Sequence, residues 1–350
     1  MRDLRAPECR YEVFLDFWGF HTQLKAHPGA VYHLLPAIAD SFQLDDEGRA
    51  WLTWLNGNTQ NPATSLLLLE ASGGSPAGWR NAVKLWEDHR SDMQWDTDRR
   101  HQKFKFGEAT EKFITAYPDA GLYKWKQTGQ AGWPEMWKWA LSLPHMGRLS
   151  SWSMSEYAQI LLGSEYIPDA SSLLLEDSSG SRSHRTGLAV VAGYTEPVDG
   201  IEVPWWTWKE TKPLLGELTK LGDQLYLDGG IGFGGTRYTL ESALCTYKSW
   251  HKPNRRYPNV YNDMAYDRIR HAERLWGNRF DVLWEARAVH LPRWARLEDN
   301  PNDPGLSPVK QNHYLQTGQT VMMGHMFPEY WSEFDDKVVS GWFPVRKERK

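Results

Sequence analysis

Five glycines fall within residues 229–235, in the stretch Leu227-Asp228-Gly229-Gly230-Ile231-Gly232-Phe233-Gly234-Gly235-Thr236. Glycine has no Cβ, so its backbone N–H can approach an anion closely. A helical run, Arg237 to Trp250, follows at once, and a helix N-terminus adds positive partial charge behind such a turn. Next comes a basic loop, Lys252-Pro253-Asn254-Arg255-Arg256, and then Val260-Tyr261-Asn262-Asp263 opens a second run that ends at Trp276. The pattern predicts a phosphate grip at Gly230, Gly232, Gly234 and Thr236, extended by Lys252, Arg255 and Arg256. Asp263 is the candidate acid facing the same bound group, flanked by Asn262 and by Tyr261 as a stacking ring. Phosphate grip, cationic loop and carboxylate together point to chemistry on a nucleic acid. From Arg237 to Arg296 there are ten Arg and two Lys against six acidic residues, a local excess of +6 in a chain of net charge −4.

Other chemistries have less support. Gly230 to Gly235 satisfies G-x-G-x-x-G, but a dinucleotide site needs a βαβ unit around it. The same glycines could serve chain reversal alone. Arg182, His184 and Arg185 stand in a polar stretch, 176–187, that reads as a loop. They could clamp a phosphoryl leaving group, or the loop could be merely solvated. Asn56, Asn58 and Gln60 offer amides that could read a base edge or cap the helix near Thr64. No H-E-x-x-H, G-x-S-x-G or P-loop is present, and His21, His27 and His33 are too evenly spread for one helix face. No cofactor and no catalytic metal are expected, Mg²⁺ entering only as the companion of a pyrophosphate group. Cys9 and Cys245 are too few for a disulfide framework, an iron–sulfur cluster or a zinc ribbon.

The elements that must position these residues are mainly α. Helical spacing marks Phe14 to Leu24, Val31 to Phe42 and Gly48 to Leu55, followed by a polar break at 56–62. Further helices are expected at 77–90, 108–117, 135–142, 153–162 and 209–221. A small β element is the most that 188–206 or 224–227 would add. Residues 297–310 read as a loop. The expected organisation is a single catalytic unit of two helical lobes around a cleft. The first lobe is Trp-rich (1–150); the second (151–296) carries the hairpin at 229–236 and the catalytic helix at 262–276. Residues 297–350 would pack back on the body.

Twenty tryptophans in 350 residues imply a wide ring-filled core, with Trp205, Trp206 and Trp208 as candidates for stacking on bases. The amino end, MRDLRAPECRYEV, lacks the apolar region of a signal peptide, and no aliphatic run approaches membrane-spanning length. The expectation is a cytoplasmic protein without a membrane partner.

Gly230-Ile231-Gly232 followed by Thr236 and a helix, then Asp263 opening a run with Ile269, Ala272, Leu275 and Trp276 along one side, resembles the helix-hairpin-helix DNA glycosylases. That resemblance implies a helical scaffold in which the hairpin holds a DNA phosphate and the aspartate faces an extruded nucleotide. Bifunctional members carry a lysine just after the hairpin; here Gly234 and Gly235 stand there and Lys248 comes too late, so no Schiff base is implied. Segments 56–62, 181–185, 241–248 and 257–263 resemble the bacteriophage amino acid:DNA transferases, relatives of the α-glutamyl/putrescinyl-thymine pyrophosphorylases. This resemblance implies a substrate of phosphorylated or pyrophosphorylated 5-hydroxymethyl-uracil flipped out of double-stranded DNA. A free amino acid, glycine being the simplest, would displace the leaving group at the 5-methylene. A monofunctional glycosylase and a non-catalytic phage DNA- or protein-binding module are the alternatives.

Overall fold

A computed structural model of the chain describes residues 6–25, 31–96, 99, 101–116, 124–178, 182–198, 201–204, 207–248 and 261–291, with the backbone alone at 196–198, 201–204 and 261–264. Among the described residues there are fifteen α-helices and one β-hairpin, so the protein is mainly α. The first nine helices are α1 (Arg10–Gln23), α2 (Val31–Ser41), α3 (Asp46–Thr59), α4 (Pro62–Ala71), α5 (Trp79–His89), α6 (Phe106–Ala116), α7 (Lys124–Gln130), α8 (Trp133–Ser142) and α9 (Arg148–Leu162). After α10 (Arg182–Val191) come strands β1 (Thr195–Val198) and β2 (Ile201–Pro204), antiparallel with Thr195 opposite Pro204. The remaining helices are α11 (Trp208–Thr211), α12 (Leu215–Phe233), α13 (Arg237–Tyr247), α14 (Tyr261–Trp276) and α15 (Asp281–His290). No helix among the described residues is long and apolar enough to cross a membrane.

The chain divides into two compact units. One comprises Met1–Pro28, Ser172–Asp263 and Leu291–Lys350; the other comprises Gly29–Ser171 and Met264–His290. The expected boundary at 150/151 is therefore not where the chain divides. α1 belongs with the helices after residue 171, and most of α14 belongs with those before it.

In the second of these units α3 packs along α9 and α4. Asp45 caps α3, its Oδ1 accepting from Gly48 N at 2.9 Å. The interior is built on stacked rings, with the Trp54 and Phe113 centroids 3.9 Å apart. Tryptophan here is core, as composition suggested: Trp51, Trp54 and Trp125 are fully buried. The polar stretch 56–62 does not break into a loop. Residues up to Thr59 continue α3, Gln60 turns the chain at φ 50°, and Asn61 caps α4 by accepting from Ala63 N and Thr64 N. Pro62 takes the first helical position, where its missing N–H costs nothing. Gly57 packs against the tip of Met154 on α9, and a Cβ there would displace that thioether.

In the other unit α1 buries Val13, Phe14, Phe17 and Trp18 against α12 and α13. α12 is longer than periodicity suggested. It runs through the expected strand at 224–227 and the first half of the expected turn, because Leu218, Gly222, Leu225 and Gly229 share one buried face. Gly229, Gly230 and Gly232 thus belong to the end of a helix, and the turn is confined to Gly234 and Gly235. Gly234 is left-handed at φ 72° and its N–H returns to the Gly230 carbonyl, an αL cap. Two of the glycines make a notch for Trp18: a Cβ on Gly229 or Gly235 would lie 2.1 or 2.4 Å from its indole ring. The Trp18 Nε1–H donates to Thr239 Oγ1 at 3.0 Å, tying α1 to the first turn of α13. Gly232, by contrast, has open space around it, and Ile231 is 88% exposed.

Tyr11 on α1 donates to Asp228 Oδ2 on α12 at 2.5 Å. Burial and this carboxylate push the phenol well above its ordinary value of 10.0.

Two outcomes follow from this packing. Gly229→Ala should destabilise the protein by about 1–3 kcal/mol through the forced shift of Trp18. Gly232→Ala should stabilise it by about 0.4–1 kcal/mol, since alanine in open helix loses less backbone entropy than glycine. Urea unfolding of the pair checks this, and equal effects of one sign would refute the notch. The folded state retains a Tyr11 proton that the unfolded chain releases near pH 10. This contribution is complete below that pH and fades above it, so Tyr11→Phe should flatten the fall of Tm between about pH 9 and about pH 12.

Candidate functional site

α10 and α13 meet at very short range. A Cβ on Gly187 would lie 2.4 Å from the Leu244 carbonyl oxygen, so only glycine permits the two backbones to approach as they do. This contact joins the segment at 182–185 to the one at 241–248. Two stretches singled out in the sequence, almost sixty residues apart, are thereby brought face to face.

Residues 182–187 of the stretch expected as a polar loop form the first turn and a half of α10. His184 and Arg185 are polar yet enclosed, because each has a specific partner. His184 is buried, with Nε2 3.0 Å from the Leu173 carbonyl and Nδ1 3.0 Å from Glu241 Oε1. Arg185 is also buried; its Nε donates to Thr211 Oγ1 at 2.8 Å and its Nη1 to the Asp177 carbonyl at 3.2 Å. Its guanidinium lies 4.6 Å from the Trp208 ring centroid. Of the three expected phosphoryl ligands only Arg182, the first residue of the helix, is exposed.

On α13, Glu241 and Cys245 are four residues apart and so share a face. The Cys245 thiol donates to Glu241 Oε1 at 3.0 Å. Lys248 donates from Nζ to the Cys245 carbonyl at 2.9 Å and to Ser183 Oγ. Burial tends to push the Glu241 carboxyl up, but the hydrogen bond and charge of His184, helped by Cys245 and Lys248, hold it below the usual carboxylate range. Burial, and then the neighbouring carboxylate, push the Cys245 thiol well up, against the opposing pull of Lys248. His184, Glu241, Cys245, Lys248 and Ser183 thus form one hydrogen-bonded polar cluster where α10 and α13 meet. Its signals in the sequence are the i, i+4 spacing of Glu241 and Cys245 and the resemblance carried by segments 181–185 and 241–248, neither of which joins His184 to the acid and the thiol.

The other expected site residues are placed as follows. Gly230 and Gly232 lie in the last turn of α12, where the backbone N–H groups belong to the helix ladder and the exposed pole is that of the carbonyls. Thr236 is the N-cap of α13, exchanging hydrogen bonds with Thr239 in a capping box. The helix N-terminus inferred after the glycines is therefore present, but it starts beyond Gly234 and Gly235. Asn56 and Asn58 are sealed inside their unit: Ser65 Oγ donates to Asn56 Oδ1, and Asn58 Nδ2 donates to the Trp54 carbonyl. Capping near Thr64 does occur, through Asn61 rather than these amides. Gln60 is half-buried at the left-handed turn. Tyr261, Asn262 and Asp263 open α14, with their backbone alone described. Lys252, Arg255, Arg256, Trp205 and Trp206 lie outside the described residues.

No protein-family model and no solved structure matches the chain. Among curated proteins, the chain is similar to one from Salmonella phage ViI named serinyltransferase. The two are 26% identical over 329 residues, which cover 86% of this chain and 78% of that protein.

The close approach of α10 and α13 is open to a direct test. Gly187→Ala should cost about 1–3 kcal/mol in urea unfolding, because the Leu244 backbone cannot yield as a side-chain tip would. Gly216→Ala, at a position with nothing within 4 Å, is the matched control and should show no such loss.

Proposed function

We propose that this protein is a transferase that attaches an amino acid to a modified thymine in phage DNA. The observation that carries the reading is the similarity to the phage serinyltransferase along most of both chains. It is supported by the convergence of segments 182–185 and 241–248, both quoted above for their resemblance to amino acid:DNA transferases, on one buried polar cluster.

In the proposed reaction the amino acid's nitrogen lone pair attacks the 5-methylene carbon of a (pyro)phosphorylated 5-hydroxymethyl-uracil. The carbon–oxygen bond to the leaving group breaks, and phosphate or pyrophosphate departs with the electron pair. In-line attack needs access to both sides of that carbon, which flipping the nucleotide out of the duplex provides at a few kcal/mol of unstacking. Asp263 is the proposed acceptor of the ammonium proton. Arg182 and the positive end of α10 are the proposed ligands of the departing phosphate. His184 and Arg185, committed to Glu241 and Thr211, act as positioning residues that hold this turn in place. The start of α13 at Thr236, with Gly234 and with Lys252, Arg255 and Arg256, is the proposed grip on the DNA backbone.

Serine joins glycine as a leading candidate for the amino acid, since the phage relative is named for a serinyl group. The test is to incubate the protein with duplex DNA carrying the phosphorylated or pyrophosphorylated base and either amino acid, then weigh the released nucleosides. The expected outcome is a base whose mass is that of the substrate plus the amino acid minus phosphoric or pyrophosphoric acid. Free base in place of that product would mean a glycosylase, and unchanged DNA with tight binding would mean a binding module. Asp263→Asn should lower turnover on the order of 10²–10⁴-fold while leaving duplex affinity intact. Replacing Arg255 and Arg256 with Ala should flatten the salt dependence of duplex binding by about two charges, and an unchanged slope would reject their role.

A further inference from the structure

The cluster between α10 and α13 has the composition of a transition-metal site. We propose that His184, Glu241 and Cys245 bind one divalent zinc-type ion, through Nδ1, a carboxylate oxygen and the thiolate respectively. These donor atoms all lie within 4.8 Å of one another.

The argument begins with the imidazole. A carbonyl oxygen can only accept, so the 3.0 Å contact with Leu173 places a proton on His184 Nε2. The other nitrogen then points its lone pair at Glu241 Oε1, 3.0 Å away. Two lone pairs cannot face each other at that distance in a buried site, so a positive species has to lie between them, either a proton or a metal ion. A ring whose outer N–H is pinned to a backbone carbonyl is how proteins orient metal-binding histidines. The thiol of Cys245 converges on the same Oε1 from the other side at 3.0 Å.

The donor set selects the ion. Imidazole, carboxylate and thiolate suit Zn²⁺ and its neighbours, whereas Mg²⁺ and Ca²⁺ require oxygen ligands. Zn–N and Zn–O bonds of about 2.0–2.1 Å and a Zn–S bond of about 2.3 Å place tetrahedral ligands roughly 3.3–3.6 Å apart. The two 3.0 Å contacts therefore need to open by a few tenths of an ångström, while the Nδ1–Sγ separation, within 4.8 Å, settles into the same range. Spacing helps, because Glu241 and Cys245 ride one face of a rigid helix and the Gly187 contact fixes the distance to His184.

Charge balance also favours the exchange. Metal-free, the site holds one proton shared by His184 and Glu241 and one on the Cys245 sulfur. Zn²⁺ replaces both protons, two H⁺ leave to solvent, and the net charge of the buried cluster is unchanged. Lys248 stays out of the coordination shell, held by Ser183 Oγ and the Cys245 carbonyl. Three protein ligands with a half-buried cysteine on the outer side are the arrangement of a zinc ion that keeps a position open for a further ligand.

This inference is read on the protein alone, without DNA or amino acid, so its failure and the failure of the transferase reading are separate results. The full chain, stripped with chelator and freed of any affinity tag, is titrated with Co²⁺ and then with Zn²⁺. The expected result is one ion per chain, a near-ultraviolet thiolate-to-cobalt charge-transfer band, and displacement of Co²⁺ by Zn²⁺. Cys9→Ala should keep the band. Cys245→Ala should abolish it and weaken Zn²⁺ binding on the order of 100-fold. Cys245→Ser, nearly isosteric, guards against a folding artefact: with far-ultraviolet dichroism unchanged it should bind without the band. Absence of a stoichiometric ion overturns the proposal, as does a band that survives Cys245→Ala or disappears with Cys9→Ala.

Discussion

The unit that carries the candidate site depends on the contact of Gly187 with the Leu244 carbonyl. Two helix backbones approach so closely there that no side chain fits between them. Because α10 and α13 are rigid rods, fixing them at one point fixes the side chains one turn away on either side. His184, one turn before Gly187, therefore stands opposite Glu241, one turn before Leu244. A polar cluster of this kind is stable only when its groups satisfy one another, since a buried charge without a partner costs several kcal/mol. The close contact supplies the precision that such mutual satisfaction requires.

A second glycine device operates in the same unit. The glycine-dense segment reads from its residues as an anion-binding turn, and part of it serves a different purpose. Gly229 and Gly235 are small so that the Trp18 indole can enter between the end of α12 and the start of α13. Gly234 provides the left-handed residue that ends α12. Gly230 and Gly232 are uncrowded, and they lie on the surface beside the exposed Ile231. Glycine density by itself does not distinguish close approach of a ligand from close approach of a tryptophan, because both demand the absence of a Cβ.

The polar segment at 56–62 and the stretch at 182–185 teach a matching lesson. Both contain Asn, Thr, Ser, His or Arg in numbers that suggest solvent, and both are largely enclosed helix. Thr59 and Ser65 share a hydrogen bond, Ser65 serves Asn56, and Asn61 serves the start of α4. Burial of a polar residue depends on whether a partner is at hand, and the partner usually comes from another element.

What the sequence by itself determined is the class of fold, the tryptophan-filled interior, the helix start at Thr236 and the opening of α14 at Tyr261 to Asp263. These follow from local physics: apolar periodicity, capping chemistry and the bulk of aromatic rings act over a few residues. The joining of His184 to Glu241 and Cys245, the burial of Arg185 and Asn56, and the assignment of α1 to the later helices were decided only by the tertiary structure. Each of these depends on which surfaces meet at van der Waals distance, and such complementarity between remote segments leaves no periodic trace along the chain.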